Sequence, residues 1–379
     1  MKAIVFHDVG DIRLDDVAEP KIEQPTDAIL SITTTAICGT DLHMVRGTMP
    51  GMVPGTVMGH EAVGIVEEVG KEVRNLKRGD RVVVPSTIGC GSCSYCRSGY
   101  FAQCDSANPN GSRAGTSFFG GPKDTGPFNG LQSEYARIPY ANVGLVKLPN
   151  EITDDEVVML SDIFPTGYFG ADLAEVGPGD VVAVFGCGPV GQFAIMSAFL
   201  LGAGRVFAVD SLPDRLQKAA ELGAETVNFA KEDPVEKIVE LTGGIGVDRA
   251  IDAVGIDAVD PAGDPAKEDR LWQPGNAPTQ ALEWCVGALA KAGTLGVIGV
   301  YPPNCQSFPI GMAMNRNLTL NMGNCNHRKY IPRLVDLVRS GTVKPEAVLT
   351  RHEPLTSALD AYKQFDTRKD GWLKVALAA

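Results

Sequence analysis

The apolar positions of this 379-residue chain change their rhythm near residue 150. Before that point they come in short, often β-branched runs, at residues 1–6, 28–35, 62–66 and 81–84, each closed by Gly, Pro or polar residues. Such runs between turn formers predict strands. Apolar residues at helical spacing are nearly absent here, so this part is expected to be β-rich with little helix. Residues 108–130, dense in Gly, Pro, Ser and Asn, predict a long loop.

After Pro149 the pattern changes. Thr153 followed by Asp154, Asp155 and Glu156 predicts a helix start, with acids placed on the positive end of the helix dipole. Strand-like and helix-like segments then alternate: a strand at 181–185, a helix at 192–201, a strand at 206–209, a helix at 213–222, and strands at 247–252 and 294–299. That alternation predicts βαβ units and a parallel sheet. Residues 256–279 interrupt it without periodicity and read as an inserted loop at a subunit or substrate boundary. A helical pattern at 330–340 and a closing strand at 373–377 complete the chain. The fold class is α/β, a β-rich domain joined to a doubly wound parallel sheet. The length also favours two domains over one core.

Composition narrows the function. A net charge of −12 argues against nucleic acid as the main partner. No uninterrupted apolar run reaches membrane-spanning length. The first residues read as a strand and not as a secretory leader, so the nine cysteines are expected in a reducing cytoplasm, serving metals or filling the core. Cys187, Cys285, Cys305 and Cys325 fit the second role.

Cys90, Cys93, Cys96 and Cys104 fit the first. Thiolates this close can converge on one tetrahedral ion, and four sulfur ligands leave no open position, which predicts a closed structural zinc. An iron–sulfur cluster also takes four cysteines and is the rival on thiolates alone.

The strand at 181–185 runs into Gly186-Cys187-Gly188-Pro189-Val190-Gly191 and then an apolar helix. A Gly-x-Gly-x-x-Gly between strand and helix predicts a dinucleotide site, with the helix N-terminus offering amides to the phosphates. Asp210, nineteen residues beyond Gly191, ends the next strand. A carboxylate there accepts from the adenosine ribose and repels a 2′-phosphate, which favours NAD over NADP. Arg215 lies close by and would weaken that preference.

Further metal-grade residues are scattered: Cys38 and His43 in one segment, His60 and Glu61 in a second, Asp162 in a third. Each alone has an ordinary structural reading, and their spacing does not join them. The run Gly59-His60-Glu61-x2-Gly64-x5-Gly70-x2-Val73, the four-cysteine lobe and the glycine turn, in that order, resemble the zinc-containing medium-chain dehydrogenase/reductase superfamily, the zinc alcohol dehydrogenases. The phrases Leu160-Ser-Asp-Ile-Phe-Pro-Thr-Gly167 and Met322-Gly-Asn-Cys-Asn-His327 resemble its formaldehyde-dehydrogenase-like branch.

That resemblance implies a GroES-like catalytic domain from residues 1–163 and 323–379, with its zinc lobe at 88–106, and a Rossmann domain at 164–322. It implies two zincs per subunit and NAD. Cys38, His60 and Asp162 would hold the catalytic zinc with a fourth position open, and Glu61 would be a transient ligand. Thr40 would hydrogen-bond the substrate hydroxyl, His43 would pass the proton outward, and Asp41 would orient His60. Lys374 would lie near the cofactor pyrophosphate. The chemistry agrees: zinc with an open position is a Lewis acid, a threonine hydroxyl both accepts and donates, and histidine titrates near neutrality. The implied activity is reversible oxidation of a small alcohol with NAD, by a cytoplasmic homodimer or homotetramer. Formaldehyde dehydrogenase or aldehyde dismutase, and a polyol or threonine-type dehydrogenase, are alternatives within the enzymes. A non-catalytic NAD-binding scaffold is the alternative outside them. His327 is expected near cofactor or substrate without a defined role.

Overall fold

The structure, a computed structural model, describes residues 1–111, 113–260, 271–303 and 305–379. Contacts divide the chain into two compact units, Met1–Pro165 with Cys325–Ala379, and Thr166–Asn324. The middle of the insertion expected at 256–279, residues 261–270, lies outside the described residues.

The first unit is built on a largely antiparallel sheet. Its strands run in the order Arg351–Pro354, Val375–Ala378, Ala28–Ile37, Ala62–Val69, Arg81–Val84 and Val146–Lys147, with Tyr135–Ile138 also paired to Ala28–Ile37. Leu30, Ile32, Val66, Val82, Val84 and Ile138 point into one buried cluster, and burial of that face fixes the register. The register has a chemical consequence. Ile37 pairs with Val375, Thr35 with Ala62, and Ala62 with Val84. Strand ends and starts therefore meet at one corner, where Cys38, Glu61 and Lys374 flank the paired residues.

This unit carries more helix than the apolar pattern predicts. The helix Gly39–Arg46 starts where the Asp41 carboxylate accepts from the Cys38 amide at 2.9 Å. Its capping residues, rather than an apolar stripe, specify it. The strand Asp11–Asp16, paired with Lys2–Asp8, also lacks an apolar run.

The second unit is a six-stranded parallel sheet in the order Glu225–Asn228, Arg205–Asp210, Val181–Phe185, Val247–Asp252, Leu289–Val297 and Thr319–Met322. The strand order reverses beside Val181–Phe185, the switch point at which open parallel sheets bind ligands. Val182, Val184, Ala208 and Ile251 are fully buried, as expected for strands covered on both faces. Among the described residues, no helix is long and apolar enough to cross a membrane.

Candidate metal centres and nucleotide site

Among the described residues, two groups of metal-grade side chains assemble in the first unit. In the first, donor atoms of Cys38, His60, Glu61 and Asp162 all lie within 4.8 Å of one another, and all four residues are buried. Two strand ends supply Cys38, His60 and Glu61, the first just after Ala28–Ile37 and the other two just before Ala62–Val69. Asp162 arrives through Ser161, whose hydroxyl accepts from the Ala62 amide at 3.0 Å and donates to the Val84 carbonyl. The Ser86 amide donates to the Ser161 carbonyl at 3.1 Å. One buried serine thus stitches the aspartate segment to two strands.

Within the group, Asp162 Oδ2 lies 3.4 Å from Cys38 Sγ and 3.2 Å from His60 Nε2. His60 Nδ1 faces Asp41 Oδ1 at 3.0 Å. Asp41 Oδ2 also accepts from Gln132 Nε2 at 3.2 Å, and Gln132 Oε1 accepts from the Tyr362 hydroxyl at 2.7 Å. The imidazole that would ligate a metal is therefore oriented by a carboxylate that is itself anchored.

Burial disfavours charge on all of these groups, and their neighbours decide the outcome. The Cys38 thiol is pushed up to about 11 by burial and by Asp162. Burial also raises Glu61, against the pull of Lys374. For Asp162, burial is outweighed by hydrogen bonds from His327 and His60, which hold its carboxyl well below the usual range. For His60, burial is outweighed by Asp41 and Cys38, which lift the ring well above its ordinary value. Glu61 Oε2 is buried without a hydrogen-bond partner. A thiol, an imidazole and a carboxylate that converge beside such an orphaned oxygen fit a divalent zinc.

Lys374, expected beside the cofactor phosphates, has its ammonium on Glu61. It is wholly buried, with Nζ 2.7 Å from Glu61 Oε1 and 2.9 Å from the Ile37 carbonyl. The pairing of Val375 with Ile37 carries it to this corner of the sheet. Thr40 and His43 both lie on the helix Gly39–Arg46, one turn apart and so on one face. His43 Nδ1 is 3.2 Å from the Thr48 hydroxyl. His327, unassigned from sequence, places Nε2 2.6 Å from Asp162 Oδ1.

The second group is Cys90, Cys93, Cys96 and Cys104, with sulfurs within 4.8 Å of one another. Cys93 and Cys104 sulfurs lie 4.0 Å apart, against about 3.8 Å between sulfurs set tetrahedrally round zinc at ~2.3 Å. That spacing suits one ion and is too small for cysteines spread over the corners of an iron–sulfur cube. Amides of Ser92 and Cys93 donate to Cys90 Sγ, and that of Cys96 to Cys93 Sγ, each at 3.4 Å. Burial opposes the Cys90 thiolate, but these bonds and the Ser92 hydroxyl lower it to about 6, while burial raises Cys96 and Cys104. Four sulfurs cannot all ionise here without a cation. None of the nine cysteines is in a disulfide. Cys187, Cys285 and Cys325 are buried, as expected, but Cys305 is half-buried.

The glycine turn lies in the second unit. Gly186 has φ +90°, and a Cβ there would meet Val254 Cγ2 at 2.7 Å. A Cβ on Gly191 would collide with the Gly186 carbonyl oxygen, so the turn tolerates no side chain at either end. Gly188 precedes the helix Pro189–Leu200, which carries Pro189 and Val190 in its first turn. Asp210 closes the turn: Oδ2 accepts from the Cys187 amide at 2.8 Å, and Oδ1 from Ser211 and Leu212 amides at 2.7 and 3.0 Å. Arg215 Nη1 lies 3.9 Å from Asp210 Oδ2.

These features define a class before any relative is considered: a two-unit chain with two metal-grade clusters and a Rossmann-type turn. Two family models match it, the alcohol dehydrogenase GroES-like domain over residues 24–150 and the zinc-binding dehydrogenase over residues 189–264. The zinc-type alcohol dehydrogenase-like protein AdhB of Bacillus subtilis is 39% identical over 100% of both chains. The solved structure of alcohol dehydrogenase TADH from Thermus sp. ATN1 superposes with a TM-score of 0.85 at 34% identity, covering 100% of this chain and 99% of that one. Glutathione-independent formaldehyde dehydrogenase of Pseudomonas aeruginosa is 38% identical over 79% of this chain and 75% of its own. The chain belongs to the zinc-type alcohol dehydrogenase family, medium-chain oxidoreductases that pair a GroES-like domain with a Rossmann-type one.

Proposed function

We propose that this protein oxidises small alcohols, or aldehyde hydrates, reversibly, using NAD, one catalytic zinc and one structural zinc per chain. The convergence of Cys38, His60, Glu61 and Asp162 within 4.8 Å carries this reading, since a structural lobe alone would not need it. When bound, zinc supplies the Lewis acidity that makes an alcohol easier to deprotonate, and NAD supplies the hydride acceptor.

The chain's own residues do the rest. Cys38, His60 and Asp162 hold the metal, and Asp41 keeps His60 turned toward it. Lys374 holds Glu61 Oε1, leaving Oε2 free to act as a transient ligand. Thr40 Oγ1 receives the substrate proton, and His43, on the same helix face, carries it outward. Gly186 and Gly191 let the turn close on itself, and Gly188 leaves room for the pyrophosphate at the head of the helix Pro189–Leu200, whose first amides bind it. Asp210 receives the ribose hydroxyls and disfavours a 2′-phosphate. Arg215, its side chain largely buried 3.9 Å from that carboxylate, is turned toward it. Cysteines held outside disulfides fit a cytoplasmic setting. The edge strand Thr319–Met322 with exposed Met322, and exposed Ile310, Met312 and Met314, fit a homo-oligomer.

The similarity to a glutathione-independent formaldehyde dehydrogenase supports a second reading, in which hydrated formaldehyde is the hydride donor. A panel of alcohols and aldehydes assayed with NAD and NADP tests both. Alcohol turnover that requires added NAD supports the first, formaldehyde oxidation that requires added NAD supports the second, and formaldehyde turnover without added NAD points to aldehyde dismutation. A protein inactive on the whole panel would contradict them.

A further inference from the structure

We propose that His327 is a positioning residue of the metal site, one that fixes how Asp162 presents its carboxylate. The proposal rests on the reading that Cys38, His60 and Asp162 hold zinc. The two oxygens of Asp162 face different partners. Oδ2 looks toward Cys38 Sγ and His60 Nε2, at 3.4 and 3.2 Å. Oδ1 receives His327 Nε2 at 2.6 Å and the Ser86 hydroxyl at 3.4 Å. An ionised carboxylate only accepts, so His327 donates from Nε2. With Oδ1 engaged, Oδ2 is the oxygen left for the metal, and the carboxylate binds through one atom.

The imidazole is itself fixed from two directions. Nδ1 lies 3.0 Å from the Thr87 hydroxyl, which also reaches the Cys325 carbonyl at 3.3 Å. One residue earlier, Asn326 Oδ1 accepts from the Ala102 amide at 2.9 Å, inside the four-cysteine lobe. That bond pins the start of the helix His327–Arg339. His327 is buried at 3% exposure, so water does not replace it in holding Oδ1. Outer partners of this kind hold metal ligands in place and set their affinity.

The test uses full-length protein and two substitutions. His327→Leu removes the donor, while His327→Gln offers an amide Nε2–H in a similar place. Chelator competition measures the affinity of each zinc, and cobalt substitution reports the ligand field at the Cys38 site. We expect His327→Leu to bind the Cys38-site metal about 10–100-fold more weakly and to shift the cobalt spectrum, with the four-cysteine metal unchanged. His327→Gln is expected to recover most of both. Wild-type affinity and spectrum in the leucine variant, or a glutamine variant as weak as leucine, would overturn the proposal. Should the leucine variant not fold, Thr87→Val unpins Nδ1 and is expected to weaken the same metal several-fold, and an unchanged affinity there overturns it too. A wild-type protein that holds metal only in the four-cysteine lobe would instead refute the underlying metal-site reading, and the proposal with it.

Discussion

Glu61 and Lys374 form a wholly buried ion pair at 2.7 Å, and its energetics differ from those of a surface contact. Removing one partner strands the other charge in a medium that solvates it poorly, at a cost of about 3–5 kcal/mol. Lys374→Met should therefore lower stability by that order in urea unfolding, and adding Glu61→Gln should recover much of the loss. The lysine variant should keep its affinity for NAD in a titration, because its ammonium serves Glu61. A large loss of NAD affinity would return Lys374 to the phosphates. Asp210 makes a separate residue-scale prediction. Asp210→Ser should move the ratio of kcat/KM values toward NADP by on the order of tenfold, since a carboxylate near a phosphate repels it by about 1–4 kcal/mol at contact. An unchanged ratio would count against its role at the ribose.

At the scale of elements, the two clusters differ in how far local sequence specifies them. The four cysteines lie within fifteen residues, and a short segment with amide-to-sulfur bonds gathers them. Cys93→Ser should release one zinc and lower Tm, because metal binding and local folding are coupled there. Retained Tm with one zinc lost would refute a structural role. The glycine turn is equally local. Gly191→Ala sets a methyl against the Gly186 carbonyl, and it should abolish measurable NAD binding while leaving zinc content intact. Spacing made these two elements legible, along with most strands of both units. It did not reveal the helices Pro234–Leu241 and Gln280–Ala288. The first is only eight residues long, and the second directly follows an aperiodic stretch. His327 and Lys374 were illegible for another reason. Their partners lie 165 and 313 residues away in sequence, and only the register of the sheet and the start of one helix bring them together.

For the whole molecule, the β-rich unit closes only when residues 325–379 join 1–165. The strand Val375–Ala378 is an integral part of the sheet that carries Cys38. Truncation before residue 374 would thus remove both a sheet strand and the counter-ion of Glu61. The central claim is that this fold holds two zincs in chemically different places, one of which serves catalysis. Metal analysis of freshly purified, active protein tests it most directly. Two zincs per chain are expected, with Cys38→Ala losing one zinc and its activity while remaining folded. A single zinc per chain in fully active protein, or full activity after Cys38→Ala, would contradict it.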